Sequence, residues 1–77
     1  MVEAYLLINC DSGMAGKAAA EMGRLAGIKS AKVVTGLHDI VALVESGDLG
    51  ALATTIVEEI QKIPGVGKTV TMVCVDL

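Results

Sequence analysis

IKSAKVVT-GLHD-IVALVE, running from Ile28 to Glu45, is the stretch on which the fold turns. Its two ends are strand-like runs, and its middle, Gly36-Leu37-His38-Asp39, is a short connection containing glycine. Two such runs around so brief a turn read as a β-hairpin. Upstream, VEAYLLINC (Val2 to Cys10) predicts another strand, and Asp11-Ser12-Gly13 punctuates it and offers a helix N-cap. From Met14 to Ala26 the spacing is helical: Ala15, Ala18, Met22, Leu25 and Ala26 share one face, and Lys17, Glu21 and Arg24 form the opposite stripe. Gly27 then stands where a helix end wants positive φ. Downstream, Ser46, Gly47 and Asp48 mark a turn and a helix start. Leu49, Leu52, Ala53, Ile56, Ile60 and Ile63 repeat at helical spacing until Pro64-Gly65 stops them. Val66 to Leu77 is β-rich throughout.

The order is therefore β-α-β-β-α-β. The halves echo each other, Ala26-Gly27-Ile28 leading into the second strand as Pro64-Gly65-Val66 leads into the fourth. Two βαβ units with right-handed crossovers predict an α+β, ferredoxin-like fold. The expected sheet is antiparallel and four-stranded, in the order 4-1-3-2, with both helices on one face. Residues 1–77 form one expected domain.

A sheet covered on one side only should alternate apolar and polar residues. These strands do not. Val2, Ala4, Leu6 and Ile8 oppose Tyr5 and Leu7; Ile40, Ala42 and Val44 oppose Val41 and Leu43; Val73 and Val75 oppose Val70, Met72 and Cys74. Two helices cover one face, so a second copy is expected on the other, giving a dimer through the sheets, shaped like an α/β barrel. Size argues the same way, because a chain this short hides only about 60% of its unfolded surface when it folds alone. Other staples are lacking: Cys10 and Cys74 are distant and outside any framework spacing, and His38 is the only histidine.

Composition narrows the partners. Six Lys and Arg are scattered among nine carboxylates for a net charge of −3, and Tyr5 is the only aromatic residue. Neither counterion release from phosphates nor base stacking is served by that pattern, so no direct nucleic-acid binding is expected. No apolar run approaches the roughly 20 residues of a membrane span, and Glu3 precedes a short apolar run unlike a signal peptide. A cytoplasmic protein without membrane contact, cofactor or metal is the expectation.

Three segments carry a resemblance. Val34-Thr35-Gly36-Leu37-His38-Asp39-Ile40 resembles the V-x-G-x-x-D hairpin of the effector domain of the Lrp/AsnC transcriptional regulators, the RAM domain (regulation of amino-acid metabolism). Ile63-Pro64-Gly65-Val66 is similar to that family's lead into its last strand, and Thr69-Val70-Thr71 to its T-x-T. The resemblance covers essentially the whole chain and implies an amino-acid effector and a homo-oligomer, a dimer assembling to an octamer or decamer. It also implies transcription or metabolism modulated indirectly through partners, full-length Lrp/AsnC regulators among them. Members usually carry a DNA-binding helix-turn-helix ahead of this domain; here the domain begins at Met1, so the stand-alone form is expected. Carried over, Gly36, Leu37, His38 and Asp39 are the turn component of the effector site, and Thr69 and Thr71 the strand component. His38 stands where the family commonly has an aromatic residue.

The chemistry suits those positions. A zwitterion needs a carboxylate for its ammonium group, which Asp39 supplies, and donors for its carboxylate, which main-chain N–H groups around Gly36 and Thr hydroxyls supply. The pattern alone also reads as turn chemistry, with Asp39 closing the hairpin through its own backbone and the threonines as ordinary strand formers. A purely structural oligomerisation module, a small dimeric ferredoxin-like enzyme and an ACT-type sensor are the alternatives. The strands offer an enzyme little beyond Asp39 and His38, so no catalytic residue is expected. Gly65-Val66-Gly67-Lys68-Thr69 imitates the end of a phosphate loop, but Lys62 occupies its first glycine position and a strand follows in place of a helix.

Overall fold

The computed structural model describes all residues, Met1–Leu77. Strands β1 (Val2–Cys10), β2 (Ile28–Val33), β3 (Ile40–Ser46) and β4 (Val66–Val73) form one antiparallel sheet in the order β2-β3-β1-β4. This is the expected ferredoxin-like topology, with the first strand in the middle. Register is set by β1: Leu6 stands between Ala42 and Thr71, and Leu7 between Val41 and Val70.

One face of the sheet carries the core. Ala4, Leu6, Ile8, Ile40, Ala42 and Val44 are wholly inaccessible to solvent. They pack against Ala18 and Met22 of helix α1 (Ala15–Met22), against Leu52, Ile56 and Ile60 of the second helical segment, and against Ile63, which lies beyond that segment's end at Ile60 rather than within it as expected. All thirteen buried residues are apolar, so no polar side chain has to be satisfied inside.

The helices differ from expectation at their ends. The first stops at Met22 rather than Ala26, because Arg24 and Leu25 donate to the carbonyls three residues back and tighten the chain into a turn. Ala26 is consequently exposed. Asp11-Ser12-Gly13 provides no side-chain cap; the Met14 N–H donates to the Asp11 carbonyl, and the Asp11 N–H to that of Gly65. Asp48 does cap the second helix, its carboxylate accepting from the Ala51 N–H at 2.7 Å. That helix runs as α2 (Leu49–Thr54) and then widens into a π-helical stretch, Thr55–Ile60, in which Gln61 N–H reaches the Ile56 carbonyl. Buried side chains at Leu52, Ile56 and Ile60 advance in steps of four, overshooting an α-helical turn by about 40° each. The wider turn takes up that drift.

Strand β4 ends at Val73, short of the expected Leu77, although the Cys74 N–H still donates to the Glu3 carbonyl. Cys10 pairs with Val66 at the other end of the same strand pair, so the two cysteines lie at opposite ends of the sheet. Both are free thiols.

The second face has no helix on it. Tyr5, Leu7, Val41, Leu43, Val70 and Met72 share it, as their pairing across β1, β3 and β4 requires. Tyr5 is 43% and Met72 47% exposed. Glu3, Lys32, Glu45 and Lys68 fall on the same face around this apolar centre.

Candidate functional site

The β2–β3 connection carries the densest polar network of the chain. Hairpin pairing closes with the Val34 N–H donating to the Asp39 carbonyl at 2.8 Å, and the Asp39 N–H donates to Ile8 of β1 at 2.9 Å. The Asp39 carboxylate does not fold back on its own turn. Its Oδ2 accepts from the Cys10 main-chain N–H at 2.7 Å, a contact spanning twenty-nine residues of sequence. One oxygen is thereby anchored to the end of β1, and the other has no hydrogen bond within the chain.

Between Val34 and Asp39 the chain is open to solvent. Leu37 is 91% exposed, and nothing lies within 4 Å of where a side chain on Gly36 would begin. The main-chain N–H groups of Thr35, Gly36, Leu37 and His38 donate to no group of the chain. The turn thus combines one anchored carboxylate with several unclaimed donors.

Asn9, the last residue of β1 on the open face, was not among the residues expected here. Its Nδ2 donates to the Leu37 carbonyl at 3.0 Å, and its Oδ1 lies 3.1 Å from His38 Nδ1. No local motif marks Asn9, because its partners are brought to it only by the β1–β3 pairing.

Thr69 and Thr71 are placed differently. Paired with Ile8 and Leu6, they share the helix side of β4, and β1 separates them from β3 and its hairpin. Two strand spacings make that about 10 Å. Thr69 Oγ1 accepts from Gln61 Nε2 at 3.0 Å. Within one chain the two components do not converge, and the single chain has no enclosed pocket.

Burial pushes the Cys10 thiol up, and the Asp39 and Asp11 carboxylates push it further in the same direction. A raised pKa leaves little thiolate, the reactive form, at neutral pH. With Cys74 replaced by serine, Cys10 should therefore be alkylated by iodoacetamide more slowly than a free thiol at pH 7.5, and faster as pH rises. Asp39→Asn should speed the reaction. Mass spectrometry of timed aliquots reads both, and a rate equal to that of glutathione would contradict the arrangement around Cys10.

The family model of the "Lrp/AsnC ligand binding domain" matches residues 3–76. The fold is thus that of a ligand-binding domain, of the kind carried by transcriptional regulators. The chain belongs to the Lrp/AsnC ligand binding domain family. An uncharacterised HTH-type transcriptional regulator of Pyrococcus furiosus, PF0250, is 34% identical over 73 residues, covering 91% of this chain and 49% of that protein. The chain spans about half the length of this curated relative. The crystal structure of hypothetical protein PHS023 from Pyrococcus horikoshii matches with a TM-score of 0.92 at 30% identity, covering 100% of this chain and 93% of that one. The feast or famine regulatory protein Rv3291c of M. tuberculosis, complexed with L-methionine, matches with a TM-score of 0.84 at 20% identity, over 100% of this chain and 52% of that one. At that identity the likeness concerns the fold. No helix of the chain is long and apolar enough to cross a membrane.

Proposed function

We propose that residues 1–77 act as one unit that binds an amino-acid effector at the hairpin and assembles through the open sheet face. One observation carries the reading: an anchored Asp39 carboxylate sits beside main-chain N–H groups that nothing in the chain uses. That pairing of acceptor and donors matches the two ends of a zwitterion. Support comes from the family, and from the L-methionine bound to Rv3291c.

Thr69 and Thr71 enter the site from another copy, because β1 keeps them away from the hairpin of their own chain. Assembly is therefore part of binding. The apolar centre of the open face, rimmed by Glu3, Lys32, Glu45 and Lys68, has the layout of a protein interface. Dimers formed there associate further to an octamer or decamer. The module acts without catalysis, by its effect on partners, including full-length regulators of the same family, and the cytoplasm is its compartment.

A thermal-shift screen against the twenty amino acids tests the reading. A ligand at 100 times its Kd adds about 2.7 kcal/mol, which raises the Tm of so small a domain by about 10 °C or more. Asp39→Asn should abolish most of that rise. It should leave the ligand-free Tm nearly unchanged, since the amide oxygen still accepts from the Cys10 N–H. If no amino acid shifts the wild type, the apolar open face leaves the second reading, an assembly module without an effector.

A further inference from the structure

The hydrogen bonds around Asn9 determine more than its own position. The Leu37 carbonyl only accepts, so the group of Asn9 that meets it at 3.0 Å is the NH2. The amide oxygen therefore faces His38 Nδ1 at 3.1 Å, and an oxygen there requires a proton on Nδ1. Neutral His38 is held as the Nδ1–H tautomer, the one less favoured for imidazole in water. Its Nε2 is left as a bare lone pair. A fixed partner on one ring nitrogen thus sets what the other nitrogen does.

From this geometry we infer that Asn9 is a positioning residue of the hairpin site, acting through His38. It makes the His38 Nε2 a hydrogen-bond acceptor, and so selects an effector whose side chain donates a hydrogen bond. The inference rests on the hairpin being the effector site, and adds the class of side chain that the site prefers. Asp39 serves the ammonium group and the turn N–H groups the carboxylate, which leaves His38 as the side-chain reader beside the exposed Leu37. A merely structural Asn9 would stiffen the hairpin without any consequence for ligand chemistry.

Two measurements test this on the full chain. First, long-range 1H–15N NMR at a pH where the ring is neutral reads the tautomer. Wild type should show Nδ1–H, Asn9→Ala should revert toward Nε2–H, and Asn9→Asp, which keeps an oxygen facing Nδ1, should hold Nδ1–H. Second, calorimetry compares L-glutamine with L-glutamic acid γ-methyl ester, a neutral analogue of similar shape that lacks side-chain donors. Wild type should prefer glutamine by about five- to tenfold, the ratio one hydrogen bond sustains. Asn9→Ala should lose or reverse that preference, because Nε2–H then donates. Should Asn9→Ala fail to fold, the wild-type tautomer and the Asn9→Asp variant carry the test. An Nε2–H tautomer in wild type overturns the inference. So does an Nδ1–H tautomer with equal affinity for the two probes, which leaves the effector site itself standing. Absence of binding by any amino acid, with the tautomer as expected, overturns the effector site and the selection together.

Discussion

Leu7→Asp is expected to abolish self-association and give a monomer by sedimentation at micromolar concentration. Leu7 stands in the middle of the open face, flanked by Val41 on β3 and Val70 on β4. Its loss from a dimer interface removes about 1.5–3 kcal/mol of apolar burial. The incoming carboxylate must also be stripped of water at the apolar centre of the face, at a cost of several kcal/mol. A two-fold interface meets the substitution twice. Even a total of about 6 kcal/mol raises the dissociation constant about 10^4-fold. The helix-side core is untouched, because Leu7 points away from Leu6, Ile8 and the helices. The monomer should therefore keep its helical circular-dichroism signal at low temperature while melting earlier. Glu21→Lys, on α1 and away from the open face, is the control and should leave the assembly intact. A wild type that sediments as a monomer would end the assembly proposal before any variant is made.

Gly27→Ala is expected to be strongly destabilising for a single added methyl. Gly27 has φ of +89°, a conformation that costs a residue with a side chain about 1–2 kcal/mol. The added carbon would also lie 2.7 Å from the Glu45 carbonyl oxygen, well inside van der Waals contact. Relief by separation is blocked, since the Glu45 N–H is bonded to the Gly27 carbonyl at 2.7 Å and ties the start of β2 to β3. The sum is about 3 kcal/mol, or about 15 °C in Tm for a domain of this size. Gly13→Ala separates the two contributions. Its φ is +78° but no atom lies within 4 Å, so only the dihedral cost of about 1 kcal/mol should appear. Equal losses in the two variants would show that the close approach to Glu45 carries no weight.

Much of the architecture was legible in local pattern. Apolar runs separated by Asp11-Ser12-Gly13, Gly36-Leu37-His38-Asp39 and Pro64-Gly65 read directly as strands, helices and their order, since periodicity and turn chemistry are properties of neighbours along the chain. Handedness then left one sheet order, and the apolar residues on both sides of β1 and β3 are visible in the sequence. Helix ends were less legible. The early stop of α1 at Met22 and the π-helical stretch at Thr55–Ile60 depend on how the chain packs onto the sheet, and propensity contains little of that.

The turn residues Gly36, Leu37, His38 and Asp39 were visible as a motif, but what each does there was not. Turn chemistry favoured an Asp39 that closes its own hairpin through its backbone, as it does by accepting from the Val34 N–H; that its carboxylate is bound to the Cys10 N–H was not legible. Asn9 gave no signal at all, being an ordinary polar residue at the end of an apolar strand until β3 pairs with β1. Thr69 and Thr71 read as partners of the turn, although the expected order 4-1-3-2, which the fold has, already sets β1 between β4 and the hairpin. Sequence by itself thus determined the elements, their order and the two-sided hydrophobicity of the sheet, because side-chain alternation and backbone preference act over a few residues. Tertiary structure alone decided which polar groups meet, because hydrogen bonds across twenty-nine residues exist only once register is set.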